Sequence, residues 1–401
     1  MTPIYPATDS IVGITPVVHY FANEWVKLGY NVRVVNSQAV YPSVFYKLPE
    51  AIYRYAEKVF GFAVKRNVPR TNAEFKYERV NVKRICIKKI LPTFDFKDRD
   101  IRKHYEEIYS YLNEVDFEPD YIVGHWDSPT LLLTPFFRKR FPNSTISVVL
   151  HGDMAYISKN NGKNRYFDGL KDLNVLGFRS KAIMERFEQL FPHFDAKKFI
   201  CYSGVPDEFI NKITSIEIDK VFSEDTWNFL FVGMLVNRKY PEKVLDALIA
   251  TEKQYPFHYT VVGEGAVGEK IKKLAIDNNV TDKVSLLGRI PRGEVMDQMV
   301  KAQCFVMISK ETFGLVYIEA MLSGCLVIAS RNQGIDGVII DGYNGYLCEV
   351  GDESELREII LKIRSTPLEK LEQISKNAIE TAKQYSDSIV AKEYLNSVGA
   401  L

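Results

Sequence analysis

The sequence predicts an α/β fold with parallel sheets, built as two Rossmann-like halves. Three observations carry this. Residues 304–330 read CFVMISKETFGLVYIEAMLSGCLVIAS. In them two apolar runs of buried-strand length, Cys304–Ile308 and Cys325–Ala329, flank a loop and a helical spacing of apolar residues (Leu315, Ile318, Met321, Leu322) closed by Gly324. Such a strand–loop–helix–strand unit is the building block of a parallel sheet. Similar short apolar runs and amphipathic stretches alternate along the rest of the chain. Finally, 401 residues suffice for two domains, each with a full core.

Composition narrows the function classes. Hydrophobic content of 46% and charged content of 26% are those of an ordinary globular chain, and a net charge of +1 points to no nucleic-acid partner. The charge is uneven: residues 53–103 hold fifteen Lys/Arg against six Asp/Glu, a net of +9, leaving about −8 elsewhere. Five widely spaced cysteines without a C-x-x-C read as small core residues of a reducing compartment, not as disulfides or a zinc site. No apolar run reaches the roughly 18 residues that span a bilayer, and no signal peptide opens the chain. A cytoplasmic location is expected.

Taken in order, Thr2–Pro6 reads like the loop after a first strand, with no strand before it. This predicts a late start site or an N-terminal truncation. An amphipathic helix over Val17–Leu28, stopped by Gly29, leads to a strand at Asn31–Asn36. Between 37 and 117, aromatics (Tyr53, Phe75, Tyr77, Phe94, Phe96) interleave with Lys83, Arg84, Lys88 and Lys89. Such a mixture suits an anionic membrane surface or an anionic acceptor, at about 1 kcal/mol per basic residue near a membrane; single-stranded nucleic acid is the least favoured partner for it. The bland alternative is a solvated charged face. Asp120–Gly124 and Thr145–Leu150 are strands, each followed by a histidine, His125 and His151; Gly152 leaves room for a ligand beside the latter. Strands at Val175–Phe178 and Lys198–Tyr202 complete the first half, and residues 206–226 read as a polar linker.

The second half opens with the strand Trp227–Val232 and Gly233. Arg238 and Lys239 follow, a natural clamp for a diphosphate, before a helix from Pro241. The strand His258–Val262 ends in Gly263-Glu264-Gly265-Ala266-Val267-Gly268, literally G-x-G-x-x-G, with Asp282 about twenty residues on. A dinucleotide reading is disfavoured because Asp282 precedes the next strand, Val284–Leu287, where a ribose-binding acid should follow it. Amphipathic helices are expected at Ser354–Ile363 and Leu368–Lys383, and a last helix from Tyr385.

The loop Ser309–Gly314 lies at a strand's carboxyl end, where open α/β sheets bind ligands. Gly314 opens a helix, so backbone N–H groups at Gly314, Leu315 and Val316 and the positive dipole end suit a diphosphate. Glu311 and Glu319 only accept hydrogen bonds and so suit sugar and ribose hydroxyls. Glu311, Phe313, Gly314, Leu315, Glu319, Ala320, Met321 and Gly324 together resemble the donor signature of the retaining glycosyltransferases of family 4 (glycosyl transferases group 1), which have the GT-B fold. The Gly13, His151-Gly152, Ser203-Gly204-Val205, Lys239 and Asp341–Gly345 positions recur in that family's order, with Val12, Ser203 and Met234 as departures.

The resemblance implies two Rossmann-like domains facing an interdomain cleft: 1–205 for the acceptor, 206–384 for the nucleotide sugar, and a helix, 385–401, crossing back. It implies a retaining transfer of a sugar from a nucleotide-diphosphate donor to an acceptor hydroxyl, in bacterial surface polysaccharide or glycolipid synthesis. Glu311 would hold the donor sugar, Glu319 the ribose, Lys239 and Arg238 the leaving diphosphate, and His151 the sugar from the opposite wall. Gly13, Gly233, Gly263, Arg289, Ile290, Phe313, Gly314, Leu315 and Val316 would line the donor. Neither metal nor cofactor is expected, since the cations and helix start can neutralise the leaving group. Asp98-Arg99-Asp100 spells a metal-binding D-x-D but sits in a basic, unstructured-looking run. The expected partners are the donor, a carbohydrate or lipid-linked acceptor, and an anionic membrane touched peripherally through residues 53–103, at the inner face of the plasma membrane. Alternatives on the same architecture are a nucleotide-sugar epimerase and a catalytically silent binding subunit.

Overall fold

The computed structural model describes residues 1–401 except 7–15, 50–51, 54–67, 93, 153, 156–164, 215–219, 221 and 223–224. Gly13, and with it part of the basic segment between 53 and 103, lies outside the described residues. Contacts divide the chain into two compact units. Unit 1 is Met1–Phe178, Arg186–Cys201 and Ala391–Leu401; unit 2 is Arg179–Glu185 and Tyr202–Val390.

In unit 1, helix α1 (Val17–Lys27) precedes strand β1 (Arg33–Val40), the hairpin β2 (Ala73–Tyr77) and β3 (Val80–Lys88), and helix α2 (Asp98–Glu114). Then follow β4 (Tyr121–His125), α3 (Thr130–Arg140), β5 (Thr145–Leu150), α4 (Arg165–Lys171), β6 (Val175–Phe178), α5 (Lys181–Leu190), whose residues to Glu185 are counted with unit 2, and β7 (Lys197–Ile200). The strands form two sheets, β1-β3-β2 and the all-parallel β4-β5-β6-β7. Among the described residues, the first two bridge them through backbone hydrogen bonds. Thr2 exchanges backbone bonds with β1 (Thr2 N to Val35 O, 3.0 Å; Ser37 N to Thr2 O, 2.8 Å), while His125 N on β4 donates to Met1 O at 3.0 Å. The Met1 ammonium donates to Val123 O, and burial drives its pKa down from 8.0 to about 5. Behind it, a cavity of about 380 Å³ runs between β1 and β4, lined by Val18, Trp25, Val34, Ile108, Ile122 and Leu395.

Asp98–Asp100 is not unstructured, as the sequence suggested: it opens α2. The two acids in that first turn complement the positive end of the helix dipole, which a reading of composition alone overlooks.

After Tyr202, unit 2 continues with α6 (Asp207–Thr214), a helix inside the stretch expected to be linker; its eight residues are too few for a clear period. The strands β8 (Trp227–Val232), β9 (Phe257–Val262), β10 (Val284–Gly288), β11 (Cys304–Met307), β12 (Leu326–Ser330) and β13 (Tyr346–Cys348) form one sheet. Its order is β10-β9-β8-β11-β12-β13, parallel throughout. This is the Rossmann order 3-2-1-4-5-6, reversing between β8 and β11. Helices α7 (Pro241–Thr251), α8 (Gly268–Asp277), α9 (Arg292–Lys301), α10 (Leu315–Leu322), α11 (Glu353–Arg364) and α12 (Leu368–Lys383) connect and cover it. The last, α13 (Asp387–Val398), begins in unit 2 and ends in unit 1, where Trp25 Nε1 donates to Ala391 O at 3.1 Å. Every residue of β11 and β12 is buried, as expected of strands covered on both faces.

Candidate functional site in unit 2

Ligands of such sheets bind outside the carboxyl ends of the strands where their order reverses. Here the two loops that meet at this place are Gly233–Tyr240, after β8, and Ile308–Gly314, after β11. Lys239 ends a short 3-10 turn (Asn237–Lys239) in the first, and Glu311 stands in the second. Their side chains meet: Lys239 Nζ lies 2.8 Å from Glu311 Oε1, and Arg238 Nη1 lies 3.2 Å from the same oxygen. Arg238 is held in place by Lys310 O, 2.9 Å away, and its own carbonyl accepts from Lys310 N at 3.2 Å. The Glu311 and Lys239 side chains are only 15% and 12% exposed, so the pair is strengthened by a poorly hydrated setting. Ser309 Oγ stands 3.5 Å from Glu311 Oε1, and Tyr317 OH donates to Met307 O at 2.7 Å, fixing the loop to the helix behind it.

Two glycines make this approach possible. Gly263, at φ +134°, has no room for a side chain: a Cβ there would stand 1.9 Å from Gly233 O. Gly314 caps α10 at φ +86°, and a Cβ would stand 2.7 Å from the Tyr317 ring. The glycines of the G-x-G-x-x-G run thus let the β9 loop pack on the β8 loop, since Gly265 likewise abuts Leu235 O.

Glu319, on α10, is not with the Glu311 cluster. Its Oε1 lies 2.5 Å from Arg292 Nη2, at the start of α9. Burial pushes the Glu319 carboxyl up, and the Arg292 charge pulls it back. Arg292 also sits over the Phe209 ring, 5.2 Å from its centre. Reasoning from the sequence missed Arg292. A usable signal was present: a cation in the first turn of a helix opposes the dipole and asks for an acidic partner. Phe313 is buried against Tyr202 and Tyr385, with the Arg179 guanidinium over its ring, so it can meet a ligand only through its backbone. Leu315 and Val316 are half-buried at the start of α10, where their N–H groups have no helical acceptor. Arg289 and Ile290 follow β10 in the loop to α9.

His151 belongs to unit 1, at the carboxyl end of β5. It stacks on Trp126 (centres 3.8 Å apart, planes 15° apart), and its Nε2 lies 3.2 Å from His125 Nδ1. Trp126 was not singled out in the sequence. Among the described residues no group of three or more His, Cys, Asp or Glu is placed to hold a metal ion, and Asp98 pairs with Arg165. No helix among them is long and apolar enough to cross a membrane.

Comparison with known proteins agrees with this architecture. Residues 196–381 match the family glycosyl transferases group 1. An uncharacterized glycosyltransferase of Methanocaldococcus jannaschii, MJ1178, is 32% identical over 271 residues, covering 67% of this chain and 70% of that protein. The N-acetyl-alpha-D-glucosaminyl L-malate synthase of Bacillus anthracis is 25% identical over 271 residues, 66% of this chain and 69% of the relative. Among solved structures, one named as trehalose-6-phosphate from E. coli bound with UDP-2-fluoro glucose superposes with a TM-score of 0.67. It does so at 11% identity, over 98% of each chain. The chain therefore belongs to glycosyl transferases group 1, and is a glycosyltransferase of the GT-B fold with two Rossmann-like α/β domains.

Proposed function

We propose that the protein is a retaining enzyme of family 4, transferring a hexosyl group from a nucleotide-diphosphate sugar to an acceptor hydroxyl. The observation that carries this reading is the cluster of Lys239, Arg238 and Glu311 at the point where the unit 2 sheet reverses its order. The two cations would take the diphosphate as charge develops on the leaving group, and Glu311 the sugar hydroxyls. The N–H groups that open α10 add donors for the same phosphates. Glu319 would accept from the ribose hydroxyls. The reaction needs a leaving group stabilised and an acceptor aligned, so the protein supplies mainly positioning and electrostatics. Retention follows if the departing phosphate helps deprotonate the acceptor on the same face. A neighbour bound with UDP-2-fluoro glucose supports the choice of donor class.

Unit 1 is assigned to the acceptor, and His151 keeps the sugar-contacting role that the resemblance gives it. A carbohydrate or lipid-linked acceptor of surface polysaccharide or glycolipid synthesis is proposed, and neither metal nor cofactor is required on this reading. Peripheral contact of residues 53–103 with an anionic membrane belongs to the same proposal. It is supported by exposed Ile90, Leu91 and Phe94 beside Lys88 and Lys89. Flotation with anionic vesicles should succeed for the wild-type chain and weaken after charge reversal at Lys83, Lys88 and Lys89; equal flotation would remove the membrane part. Thermal shift against UDP-, GDP- and ADP-sugars tests the central reading. One base should raise the melting temperature, by about 2.7 kcal/mol of stability at a hundredfold excess over Kd. Stabilisation by none of them overturns it.

A further inference from the structure

A second cavity, also of about 380 Å³, lies in unit 1 at the carboxyl ends of β1 and β3. The two strands end in register there, Val40 opposite Lys88, with Lys89 N donating to Val40 O at 2.9 Å. The cavity wall includes Tyr41, Lys88, Lys89, Asp95, Lys97 and Arg99, and the first turn of α2 closes it. Its charges are not balanced. Asp95 is already engaged, accepting from Tyr166 OH at 2.7 Å and from Arg165 Nη2 at 2.8 Å. Asp100 faces Arg99 at 3.8 Å. For Lys88, Lys89 and Lys97, no carboxylate lies within ion-pair distance among the described residues. Lys89 is half-buried, with its ammonium 4.9 Å from the centre of the Phe96 ring; burial lowers its pKa, and the charges of Asp95 and Asp127 pull partly the other way.

A partly desolvated ammonium whose nearest acids lie beyond ion-pair distance is only partly compensated, and further cations beside it repel it. Lys88 and Lys97 are exposed at the cavity's rim, and with Lys89 and Arg99 they give the cavity wall four cations against the two carboxylates of Asp95 and Asp100. A compact dianion with several acceptor oxygens would offset this excess, serving several point charges at once. Exposed Ile90, Leu91 and Phe94, on the loop that leaves the same strand end, would suit an apolar group attached to that anion.

We propose that this cavity binds a phosphate group and that the phosphate is carried by the acceptor, which rests on the reading of unit 1 as the acceptor unit. Lys89 and Lys97 would hold the phosphate, with Lys88 at the rim. The acceptors favoured are phosphorylated alcohols, either free in solution or as the headgroup of a lipid.

The test uses the full-length chain and the variants Lys89→Ala, Lys97→Ala and their double. The probes are glycerol 3-phosphate, inorganic phosphate, and phosphatidylcholine vesicles with and without phosphatidic acid. Wild-type protein should bind glycerol 3-phosphate or the phosphatidic acid vesicles, with affinity falling as salt rises. The double variant should bind at least tenfold more weakly. Its stabilisation by the nucleotide sugar that fits wild type should be unchanged, because neither lysine is in unit 2. Binding of the soluble ester identifies a free phosphorylated acceptor; binding of the vesicles alone identifies a lipid headgroup. Absence of both in the wild type, or equal affinity in the double variant, overturns the site. If phosphate binding persists while no nucleotide sugar stabilises the protein, the donor reading has failed and the phosphate site has not.

Discussion

The two units place charge differently at the carboxyl ends of their strands. In unit 2 both candidate carboxylates are already matched, Glu311 by Lys239 and Arg238, Glu319 by Arg292. Their backbone support is a single six-stranded sheet. In unit 1 the sheet is interrupted between β1 and β4, bridged among the described residues by Met1 and Thr2, and the cavity at the end of β3 is lined by more cations than acids, Lys88, Lys89, Lys97 and Arg99 against Asp95 and Asp100. On the two proposals, the contrast is between a site whose charges are held in place before the ligand arrives and a surface completed by what binds it. The first suits a step common to many donors, where preorganised charge lowers the barrier. The second suits recognition of one particular partner.

The contrast breaks first at the N-terminus. In a chain that begins at Met1, the buried amine has its pKa lowered from 8.0 to about 5. The unfolded amine therefore binds a proton between these values when the folded one does not. The resulting destabilisation is fully present below about pH 5, shrinks as pH rises, and is gone above about pH 8. Three pH units of this linkage correspond to about 4 kcal/mol. Denaturant titrations across that window, on the chain with a free and with an acetylated amine, read it directly. Equal pH slopes for the two would show that the amine is solvated and the stitching of the unit 1 sheet looser than described.

Next in size is Lys239→Ala. On the proposed reading it removes a cation from the leaving group, and among the described residues it leaves Arg238 as the cation paired with half-buried Glu311. Loss of one preorganised donor of this kind costs about 10²–10³ in kcat. Steady-state kinetics should show the loss in kcat more than in donor KM. Wild-type turnover would detach the cluster from the chemistry.

Gly314→Ala should cost about 2 kcal/mol, from left-handed backbone strain and the meeting of the new methyl with Tyr317. Thermal unfolding of unit 2 is the readout, with a lower midpoint expected. A substitution of equal effect at Gly29, which has open space around it despite φ +93°, separates strain from the clash.

Much of unit 2 was legible in the sequence, for a physical reason. Strands buried on both faces are continuous apolar runs, so Cys304–Ile308 and Cys325–Ala329 stand out against any background. The charge in the Arg238-Lys239 pair was visible too, because it follows a strand end directly. What distance along the chain hides is partnership. Arg292 and Glu319 are 27 residues apart and belong to different helices, and no period links them. The glycines of the G-x-G-x-x-G run could be seen, but not that Gly263 is required by Gly233 O, a contact made only when two strand ends lie side by side. In unit 1 the Met1–Thr2 bridge was illegible for a further reason: two residues carry no pattern, and their place is set by the strands on either side.

The Arg292–Glu319 pair is the smallest and most discriminating case. If Glu319 accepts from the ribose hydroxyls, Arg292 is a positioning residue: it keeps the carboxylate ionised in a buried place and aims it. Arg292→Ala should then raise donor KM by about tenfold, equivalent to 1.4 kcal/mol, with kcat nearly unchanged. A merely structural role would lower the melting temperature without making KM depend on pH. The positioning role predicts that it does. Burial already raises the Glu319 pKa, and removing the compensating cation lets it rise further. Donor KM in the variant should therefore worsen as pH falls toward the carboxyl's new pKa and recover at higher pH, while wild-type KM stays flat over the same range. Arg292→Lys should restore part of the affinity, since it returns the charge but not the fork. A KM that is raised equally at every pH, and that lysine does not improve, would leave Glu319 without a part in donor binding and place the difference between the units elsewhere.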